Sequence, residues 1–297
     1  MKKISFSEFG GPDVLQLSET VTPEPGTGQI RIAVRAAGVN PVDWRVREGQ
    51  RQQTHPIELP SGTGQDASGI VDKLGPGVKG VSVGDPVFGR GFETYAESAI
   101  LTSWAAIPEG MPFEEAAGYP SVVETAIRAI HEVGVTPGQT LLINGASGGV
   151  GSATVQIARA RDIDVIGLAG AANQDYLRDL GAKATTYGQG WMGRVQALGH
   201  VDAALDASGS GIIAELVTLT GAPERVVTIA DQSAPPLGVR FLAVGGDMFA
   251  ALAEARHLIA KGQLHLPIEK TYPLAAAAAA QADSQAGHTR GRRVIVI

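Results

Sequence analysis

The glycine-rich segment at residues 144–151, NGASGGVG, carries the spacing that points most directly to chemistry. It follows the apolar run at 140–143 and precedes an uninterrupted helical pattern from about 150 to 160. A glycine turn between a strand and a helix exposes backbone N–H groups and a helix N-terminus, which together bind pyrophosphate. Ala146 takes the first position of a G-x-G-x-x-G pattern that continues with Gly148 and Gly151. The predicted cofactor-binding residues of this turn are Ala146, Ser147, Gly148, Gly149, Val150 and Gly151.

Two other interpretations of this segment remain open. Residues 145–149 also match G-x-S-x-G, the nucleophile elbow of hydrolases, with Ser147 as nucleophile. Acids and histidines follow Ser147 in the chain order of the hydrolase triad, serine then acid then histidine: Asp206, Asp231, His257 and His265. The segment could also be a structural turn without a ligand. Gly151 and the β-rich start of the chain favour dinucleotide binding.

The choice between NAD and NADP depends on the end of the next strand, near residue 168. NAD sites commonly place an acid there, about 20 residues past the glycines, on the ribose hydroxyls. Gly170 stands at that position, so no carboxylate would repel a 2′-phosphate. Asn173 and Tyr187 are neutral donors nearby, and Tyr187 could equally stack on the cofactor or simply pack. We therefore predict NADP(H) as the cofactor.

Composition and charge exclude several classes of function. The net charge of −6 is spread along the chain without a basic stripe, which disfavours nucleic acid as a partner. No apolar stretch approaches the roughly 18 residues of a membrane span, and the N-terminus turns polar too soon for a secretory signal. The chain has no cysteine, which excludes disulfides, thiolate nucleophiles and cysteine-bound zinc. We expect a cytoplasmic protein that acts on a small molecule and has no membrane partner.

The order of secondary-structure patterns predicts an α/β protein. Period-two alternation at 30–36 and short strands at 69–75 and 85–89 suggest a barrel-like or sandwich-like unit. From about residue 112, strand patterns at 140–143, 164–168, 201–205 and 225–229 alternate with helical patterns, which indicates a parallel sheet covered on both faces. A final helix and strand (275–280 and 293–297) follow the alternating region and are assigned to the same domain as the β-rich N-terminal part. The α/β core is therefore predicted as an insert: residues 1–112 and 267–297 form one domain and 113–266 the other.

Four further motifs, taken in order with the glycine turn, give the chain a family resemblance. They are GVNPVD at 38–43, GQDASG at 64–69, VGDPVF at 83–88 and HTRGRRV at 288–294. With these motifs the chain resembles the medium-chain dehydrogenase/reductase superfamily, in its zinc-free quinone oxidoreductase (zeta-crystallin-like) branch. The resemblance covers essentially the whole length. It implies a GroES-like domain for 1–112 and 267–297 and a Rossmann doubly wound sheet for 113–266.

The resemblance also indicates where zinc would lie in zinc-dependent relatives. Their ligand positions match Asn40, Gln65 and, approximately, Ser121, none of which is Cys or His. We therefore predict no metal. Without a Lewis acid, reduction of a simple carbonyl loses its usual oxyanion stabilisation, whereas quinones and α,β-unsaturated carbonyls can spread the charge. The predicted activity is NADPH-dependent reduction of a quinone or of an enone or enoyl compound.

Roles for individual residues follow from the same resemblance. Asn40 is predicted to bind the substrate carbonyl or the nicotinamide ribose, with Asp43 holding its loop and Thr125 near the nicotinamide. Ala230 is a further predicted cofactor contact. Relatives often have tyrosines shortly after the position of Asp43, whereas this chain has Trp44, Arg45 and Arg51 there. These arginines are either solvated surface or selectors of an anionic enone.

Two alternatives to the reductase stay open beside the hydrolase. The chain could be a nicotinamide-binding sensor or structural protein with little turnover, which the missing tyrosines would suit. The resemblance also implies a homodimer.

Overall fold

The protein is described here from a computed structural model, which covers residues 1–242, 245–287 and 289–297. His288, in the last family motif, lies outside the described residues. In chain order the strands are β1 (Lys2–Phe6), β2 (Gln16–Glu19), β3 (Ile30–Gly38), β4 (Ser61–Gly62), β5 (Asp66–Leu74), β6 (Pro86–Phe92), β7 (Ser98–Ala106), β8 (Thr140–Asn144), β9 (Asp164–Ala169), β10 (Lys183–Thr186), β11 (Ala203–Asp206), β12 (Val226–Thr228), β13 (Arg240–Phe241), β14 (Ile268–Pro273) and β15 (Arg292–Val296).

The helices alternate with these strands mainly in the second half of the chain. In chain order they are α1 (Pro41–Arg47), α2 (Phe113–Ala116), α3 (Pro120–Val133), α4 (Gly149–Ala160), α5 (Gln174–Asp179), α6 (Trp191–Leu198), α7 (Ile213–Thr220), α8 (Met248–Ala260) and α9 (Ala277–Gln285).

The chain divides into two compact units. The first comprises residues 1–121, 248–256 and 266–297, and the second comprises 122–247 and 257–265. These ranges differ from the predicted domain boundaries at 113–121, at 248–256 and at residue 266, all of which lie in the first unit. In the first of these segments, the Ser68 hydroxyl of β5 donates a hydrogen bond to the Phe113 carbonyl (2.6 Å). In the second, Phe249 packs edge-on against Trp104 of β7.

The first unit is built around a closed β structure. Strands run in the order β14-β15-β3-β5-β6-β7, and β7 pairs back onto β3, so four antiparallel strands form a barrel. Side chains of β3 alternate between the interior and the surface from Ile30 to Arg35, as the period-two pattern predicts. The barrel core contains Ile30, Ile32, Val34, Ala67, Val71, Val87, Ala99 and Leu101.

Helix α1 was not predicted from the sequence, although it carries Asp43 and begins directly after Asn40. Pro41 at its first position suits a helix start, because proline lacks the N–H that would be unpaired there. The helix is too short to be stable by propensity alone, so its contacts must hold it. Arg47 provides these contacts: its fully buried guanidinium donates to the Gly10 carbonyl (3.0 Å) and to Gln281 Oε1 of α9 (3.0 Å).

The second unit contains a fully parallel sheet in the order β10-β9-β8-β11-β12-β13. Numbered within this unit the order is 3-2-1-4-5-6, which is the Rossmann arrangement. The strand order reverses between β8 and β11, and dinucleotides bind at the carboxyl ends of strands at such a point. The predicted fold class, a Rossmann sheet together with a β-rich GroES-like domain, is confirmed.

Several elements escaped the sequence analysis because their patterns are short or polar. They are β1, β2, β4, β10, β13, β14, α1 and α6. Strand β7 was also missed, because its apolar and polar residues do not alternate strictly. The predicted Ala-rich helix at 275–280 begins as a 3₁₀ turn and becomes α9 only from Ala277. Within the described ranges, no helix is both long enough and apolar enough to cross a membrane.

We expect Arg47→Met to destabilise the first unit by about 3 kcal/mol, because the Gly10 carbonyl and Gln281 Oε1 would each lose a buried donor. Urea unfolding followed by circular dichroism measures this loss. Arg35→Met is the matched control, since Arg35 is exposed on β3 of the same unit. An equal loss in both variants would show that Arg47 does not anchor α1.

Candidate functional site

The predicted phosphate-binding turn lies at the carboxyl end of β8, beside the point where the strand order reverses. Gly145 has a φ of +81°, a conformation that favours glycine, and it begins the turn. The backbone N–H groups of Gly145 and Ala146 both donate to the Leu168 carbonyl of β9 (3.2 and 3.0 Å). Helix α4 then begins at Gly149, with Gly148 as its N-cap. Its first N–H groups have no partner within the helix and can bind an anion.

Gly151 and Gly148 are glycines for different physical reasons. A Cβ on Gly151 would lie 2.2 Å from the Gly145 carbonyl oxygen, so only glycine lets α4 pack against the turn. A Cβ on Gly148 would meet nothing closer than 3.5 Å. Its missing side chain therefore leaves the outer face of the turn open, where a phosphate would approach.

Gly170 and Asn173 lie next to this turn, directly after β9. Asn173 Nδ2 donates to Ser147 Oγ at 3.2 Å, which joins two predicted cofactor residues from different loops. A side chain added at Gly170 would meet no atom within 4 Å. The space where NAD-binding proteins place an acid is thus open and carries no carboxylate from residue 170. Arg178, the nearest base in the sequence, is exposed and paired with Asp175.

A buried carboxylate that the sequence analysis did not assign to the cofactor site connects the neighbouring strand ends. Asp206, at the end of β11, accepts hydrogen bonds from Asn144 Nδ2 and Thr228 Oγ1, each at 2.8 Å. It also accepts from the backbone N–H groups that follow it, at Ser208 and Gly209 (3.1 and 3.0 Å). These bonds hold the ends of β8, β11 and β12 in register. The sequence does contain a signal for this network, because each of these three apolar strands ends in a polar residue: Asn144, Asp206 or Thr228.

Tyr187 and Ala230 lie at the edges of the same region. The pKa of Tyr187 is raised by partial burial and by the negative charge of Asp206, and it is lowered in part by the Gly145 backbone. The phenol therefore lies beside the glycine turn. The Ala230 N–H donates to Thr228 Oγ1 (3.1 Å), which places this residue next to the Asp206 hydrogen bonds.

The hydrolase interpretation gains no support from the contacts of Ser147. Within the described part of the chain, the hydrogen bond at Ser147 Oγ comes from the Asn173 amide, which cannot act as a base. The nucleophile elbow requires a strained serine, yet Ser147 is absent from the residues with positive φ among those described. The donors to Asp206 are an amide, a hydroxyl and backbone N–H groups, with no histidine among them.

In the first unit, the polar centre is the fully buried carboxylate of Asp66. Its Oδ2 accepts from Asn40 Nδ2 (2.9 Å) and from the Ser121 N–H (3.0 Å), and its Oδ1 accepts from Ser121 Oγ (2.6 Å). Asn40 Oδ1 in turn accepts from Arg292 Nη2 at 2.8 Å. Asn40 is therefore fixed at both ends of its amide, and among the described residues Asp66 is the acceptor for Nδ2, which leaves its second hydrogen for another acceptor.

These contacts also account for the positions that match zinc ligands in the zinc-dependent relatives. Asn40 and Ser121 both donate to Asp66, and Gln65 Oε1 accepts from Arg90 Nη2 (2.6 Å). Residues 1–242, 245–287 and 289–297 contain no group of three His, Cys, Asp or Glu side chains that could hold a metal ion. The predicted absence of zinc stays a prediction.

Asp43 lies beside this network and is itself buried. Its Oδ2 accepts from the Asn40 N–H (2.8 Å) and from the Tyr95 hydroxyl (2.9 Å), whereas its Oδ1 has no hydrogen-bond partner among the described residues. Burial raises the pKa of Asp43 to about 7, against the opposing effect of these two hydrogen bonds. Its position supports the predicted role of holding the loop that carries Asn40.

The residues predicted for the substrate pocket include two arginines, Arg45 and Arg51, whose positive charges lie close to each other. The Arg45 guanidinium lies 5.2 Å from the centre of the Trp44 ring. Burial, and then the nearby positive charge of Arg51, lower the pKa of Arg45. Burial and the charge of Arg90 likewise lower the pKa of Arg51. Arg90, which the sequence analysis did not assign, therefore belongs to the same group of charges.

Thr125 is on α3 in the second unit, where its hydroxyl lies 3.5 Å from Glu124 Oε2. Glu124 is buried and bonded to Arg128 Nε at 2.7 Å. The predicted site residues thus form two groups. Asn40, Asp43, Trp44, Arg45 and Arg51 lie in the first unit, and Thr125, residues 146–151, Gly170, Asn173, Tyr187 and Ala230 lie in the second.

The raised pKa of Asp43 predicts a specific pH dependence of stability. Between about pH 4 and 7 the folded chain holds a proton on Asp43 that the unfolded chain releases, so the Asp43 contribution falls as pH rises. The stability difference between wild type and Asp43→Asn should change by up to about 1.4 kcal/mol per pH unit in this window. Urea unfolding at several pH values measures it, and a pH-independent difference would contradict the protonated Asp43.

Two known protein families match different parts of the chain. Residues 26–116 match the alcohol dehydrogenase GroES-like domain family, and residues 180–295 match a family described as zinc-binding dehydrogenase.

Curated relatives match over a limited length. Rat quinone oxidoreductase is 40% identical over 178 residues, which cover 58% of this chain and 53% of the relative. A 2-methylene-furan-3-one reductase from Solanum lycopersicum is 36% identical over 172 residues, covering 54% of this chain and 44% of the relative. The aligned part of the chain thus spans about half the length of the curated relatives.

Solved structures match the whole chain. The quinone oxidoreductase of Coxiella burnetii has a TM-score of 0.86 and 28% identity, covering 100% of this chain and 99% of that one. A mycobacterial protein solved in complex with NADPH has a TM-score of 0.87 and 28% identity, with both chains fully covered. The Rossmann strand order, the closed β unit and these similarities agree, and the chain belongs to the medium-chain dehydrogenase/reductase family.

Proposed function

We propose that this chain is an NADPH-dependent reductase that transfers hydride to a quinone or an α,β-unsaturated carbonyl without zinc. The observation that carries the proposal is the open glycine turn at the reversal point of the parallel sheet. The similarity to quinone oxidoreductases, and to a furanone reductase in particular, supports the substrate class.

The residues of the turn fit a dinucleotide. The N–H groups at the start of α4, which no side chain of the described residues caps, and the backbone of Gly148 would hold the pyrophosphate. Gly170 leaves room for a 2′-phosphate, with the Asn173 amide and the Ser147 hydroxyl beside it as neutral partners. Tyr187 would cover the turn from the other side, and Ala230 and Thr125 are proposed cofactor contacts in the same unit. Bound NADPH would supply the hydride.

The proposed substrate chemistry suits a site without a Lewis acid. After hydride reaches the β-carbon or the quinone, the negative charge spreads into an enolate or a hydroquinone anion, and solvent supplies the proton. Asn40 would donate its remaining Nδ2 hydrogen to the substrate oxygen. Asp66 and Arg292 fix the orientation of that amide, and Asp43 fixes the backbone N–H of the same residue.

The arrangement at the former zinc positions supports the metal-free proposal. A divalent cation needs free ligands, yet Asn40 and Ser121 are bonded to Asp66, and Gln65 is bonded to a positive charge on Arg90. Zinc at this place would face repulsion from the guanidinium. The homodimer and the cytoplasmic location stay predictions.

Consumption of NADPH, followed by its absorbance, tests the proposed activity against a panel of quinones and enones. We expect turnover with at least one class, and equal rates after treatment with a strong zinc chelator. Tight NADPH binding without turnover on any substrate would favour the sensor alternative. Loss of activity to the chelator, restored by zinc, would contradict the metal-free proposal.

We expect Gly170→Asp to shift the cofactor preference from NADPH toward NADH, because a carboxylate there would repel the 2′-phosphate and bond the ribose hydroxyls. The ratio of kcat/KM for NADPH over NADH should fall by about tenfold or more. Gly193→Asp adds the same charge at an exposed site of the same unit with no atom within 4 Å, and it serves as the control. An unchanged ratio in Gly170→Asp would place the adenosine elsewhere.

A further inference from the structure

We propose that Arg45, Arg51 and Arg90, together called the arginine cluster, bind an anionic group carried by the substrate. The group is a carboxylate or a phosphate attached to the enone or enoyl compound. This inference rests on the proposed function for the reacting part of the substrate. The arginine cluster itself lies entirely within the first unit.

The first argument is the balance of charge. Arg51 lies close enough to lower the pKa of Arg45, and Arg90 close enough to lower that of Arg51, although in both residues burial has the larger effect. Within the described ranges, none of the three guanidinium groups has a carboxylate within ion-pair distance. Like charges that are brought together and partly buried cost free energy unless an anion offsets them.

Several other arginines of this chain, whose net charge is −6, do form ion pairs. Arg31 pairs with Asp72 at 2.8 Å, Arg128 with Glu124 at 2.7 Å, and Arg240 with Glu132 at 2.8 Å. Among the described residues no ion pair within 4.0 Å involves the arginine cluster, although Asp66 lies opposite Arg90 in the sheet, because the Asp66 oxygens accept from Asn40 and Ser121 instead.

The second argument is that neutral groups hold the arginines in place. Arg45 lies over the Trp44 ring, Arg51 Nη2 contacts His55 Nδ1 at 3.3 Å, and Arg90 Nη2 donates to Gln65 Oε1 at 2.6 Å. The charges are positioned without being neutralised. Arginine suits this task because its planar guanidinium binds a carboxylate or phosphate through two parallel hydrogen bonds.

Trp44 adds an independent observation. Its indole Nε1 is buried and has no acceptor in the part of the chain that the structure describes. The neighbourhood of Arg45 thus contains more donors than acceptors. A ligand that only accepts hydrogen bonds, such as an ionised carboxylate or a phosphate, matches this imbalance.

The position of the arginine cluster connects it to the proposed reaction. Arg90 lies directly opposite Asp66 where β6 pairs with β5, so both side chains leave the same face of the sheet, and the Asp66 carboxylate fixes the Asn40 amide. The anionic group would therefore bind on the same side of the first unit as the substrate oxygen. A substrate with its negative charge a few bonds from the conjugated carbonyl fits both contacts.

A pair of substrates that differ in charge tests the inference, and each acid-to-ester ratio is compared with that of wild type because the ester is also the more electrophilic compound. We compare kcat/KM for 3-benzoylacrylate and for its methyl ester in wild type, Arg45→Gln, Arg51→Gln, Arg90→Gln and the control Arg35→Gln. The acid-to-ester ratio should fall about tenfold or more in each cluster variant, as expected for the loss of a charge-assisted hydrogen bond. It should stay at the wild-type value in Arg35→Gln, because Arg35 is exposed elsewhere on the first unit.

A second pair identifies the source of the charge. Crotonyl-coenzyme A carries phosphates, whereas the crotonyl thioester of N-acetylcysteamine carries the same reacting group without them. A loss confined to the coenzyme A compound assigns the arginine cluster to a phosphate, and a loss confined to 3-benzoylacrylate assigns it to a carboxylate. Ratios that match wild type in every cluster variant, for both pairs, overturn the inference.

A binding measurement separates this inference from the proposed activity. Calorimetric titration with 3-benzoylpropionate and with its methyl ester needs neither NADPH nor turnover. Wild type should bind the acid more tightly than the ester, and the cluster variants should lose that preference. If no substrate is reduced yet the acid preference depends on the arginines, the proposed function fails and the anion site stands. Equal affinity for acid and ester in wild type overturns the anion site for carboxylates, and the same titration with coenzyme A tests phosphates.

Discussion

Two buried carboxylates organise the two units of this protein. A carboxylate removed from water must be surrounded by donors, and those donors are then fixed in space. In the first unit Asp66 fixes Asn40 and Ser121, and in the second unit Asp206 fixes Asn144 and Thr228. Each carboxylate lies at an end of a strand. Its position is fixed by the sheet, and its hydrogen bonds fix the positions of the neighbouring loops, where ligands would bind. The proposed substrate and cofactor contacts both depend on the need of a buried carboxylate for hydrogen-bond donors.

Backbone packing imposes the second constraint, and it acts on the glycine turn. Gly151 is required because α4 passes so close to the Gly145 carbonyl that no side chain fits. A side chain at Gly170 would enter open space and one at Gly148 would make only an ordinary contact with the Gly145 carbonyl oxygen, so internal packing does not require glycine at either position. A glycine motif therefore combines an internal packing requirement with an external binding surface. The two can be told apart only by what a Cβ would meet.

The arginines of the first unit differ in whether a carboxylate lies near them. Asp66 faces Asn40 and Ser121, and Asp43 is driven toward its neutral form by burial, with a pKa of about 7. Arg292 donates to Asn40 within a network that includes the Asp66 carboxylate, whereas Arg45 lies over the Trp44 ring and Arg51 contacts His55, with no ion pair for either among the described residues. This difference is the basis for proposing that Arg292 is a structural cation and that Arg45 and Arg51 bind a ligand.

The sequence by itself determined the fold class, the Rossmann strand–turn–helix around residues 140–160 and the absence of an acid at position 170. These features are local: a turn needs glycine, a buried parallel strand needs an apolar run, and both are visible within a few residues. Short or polar elements such as α1 and β10 were missed because tertiary contacts, not propensity, hold them. Only the tertiary structure decided that Asn40, Asp66, Ser121 and Arg292 meet, and that Arg90 joins Arg45 and Arg51. Hydrogen bonds and charge interactions between residues 26 to 252 positions apart depend on how strands pair, which no local pattern specifies.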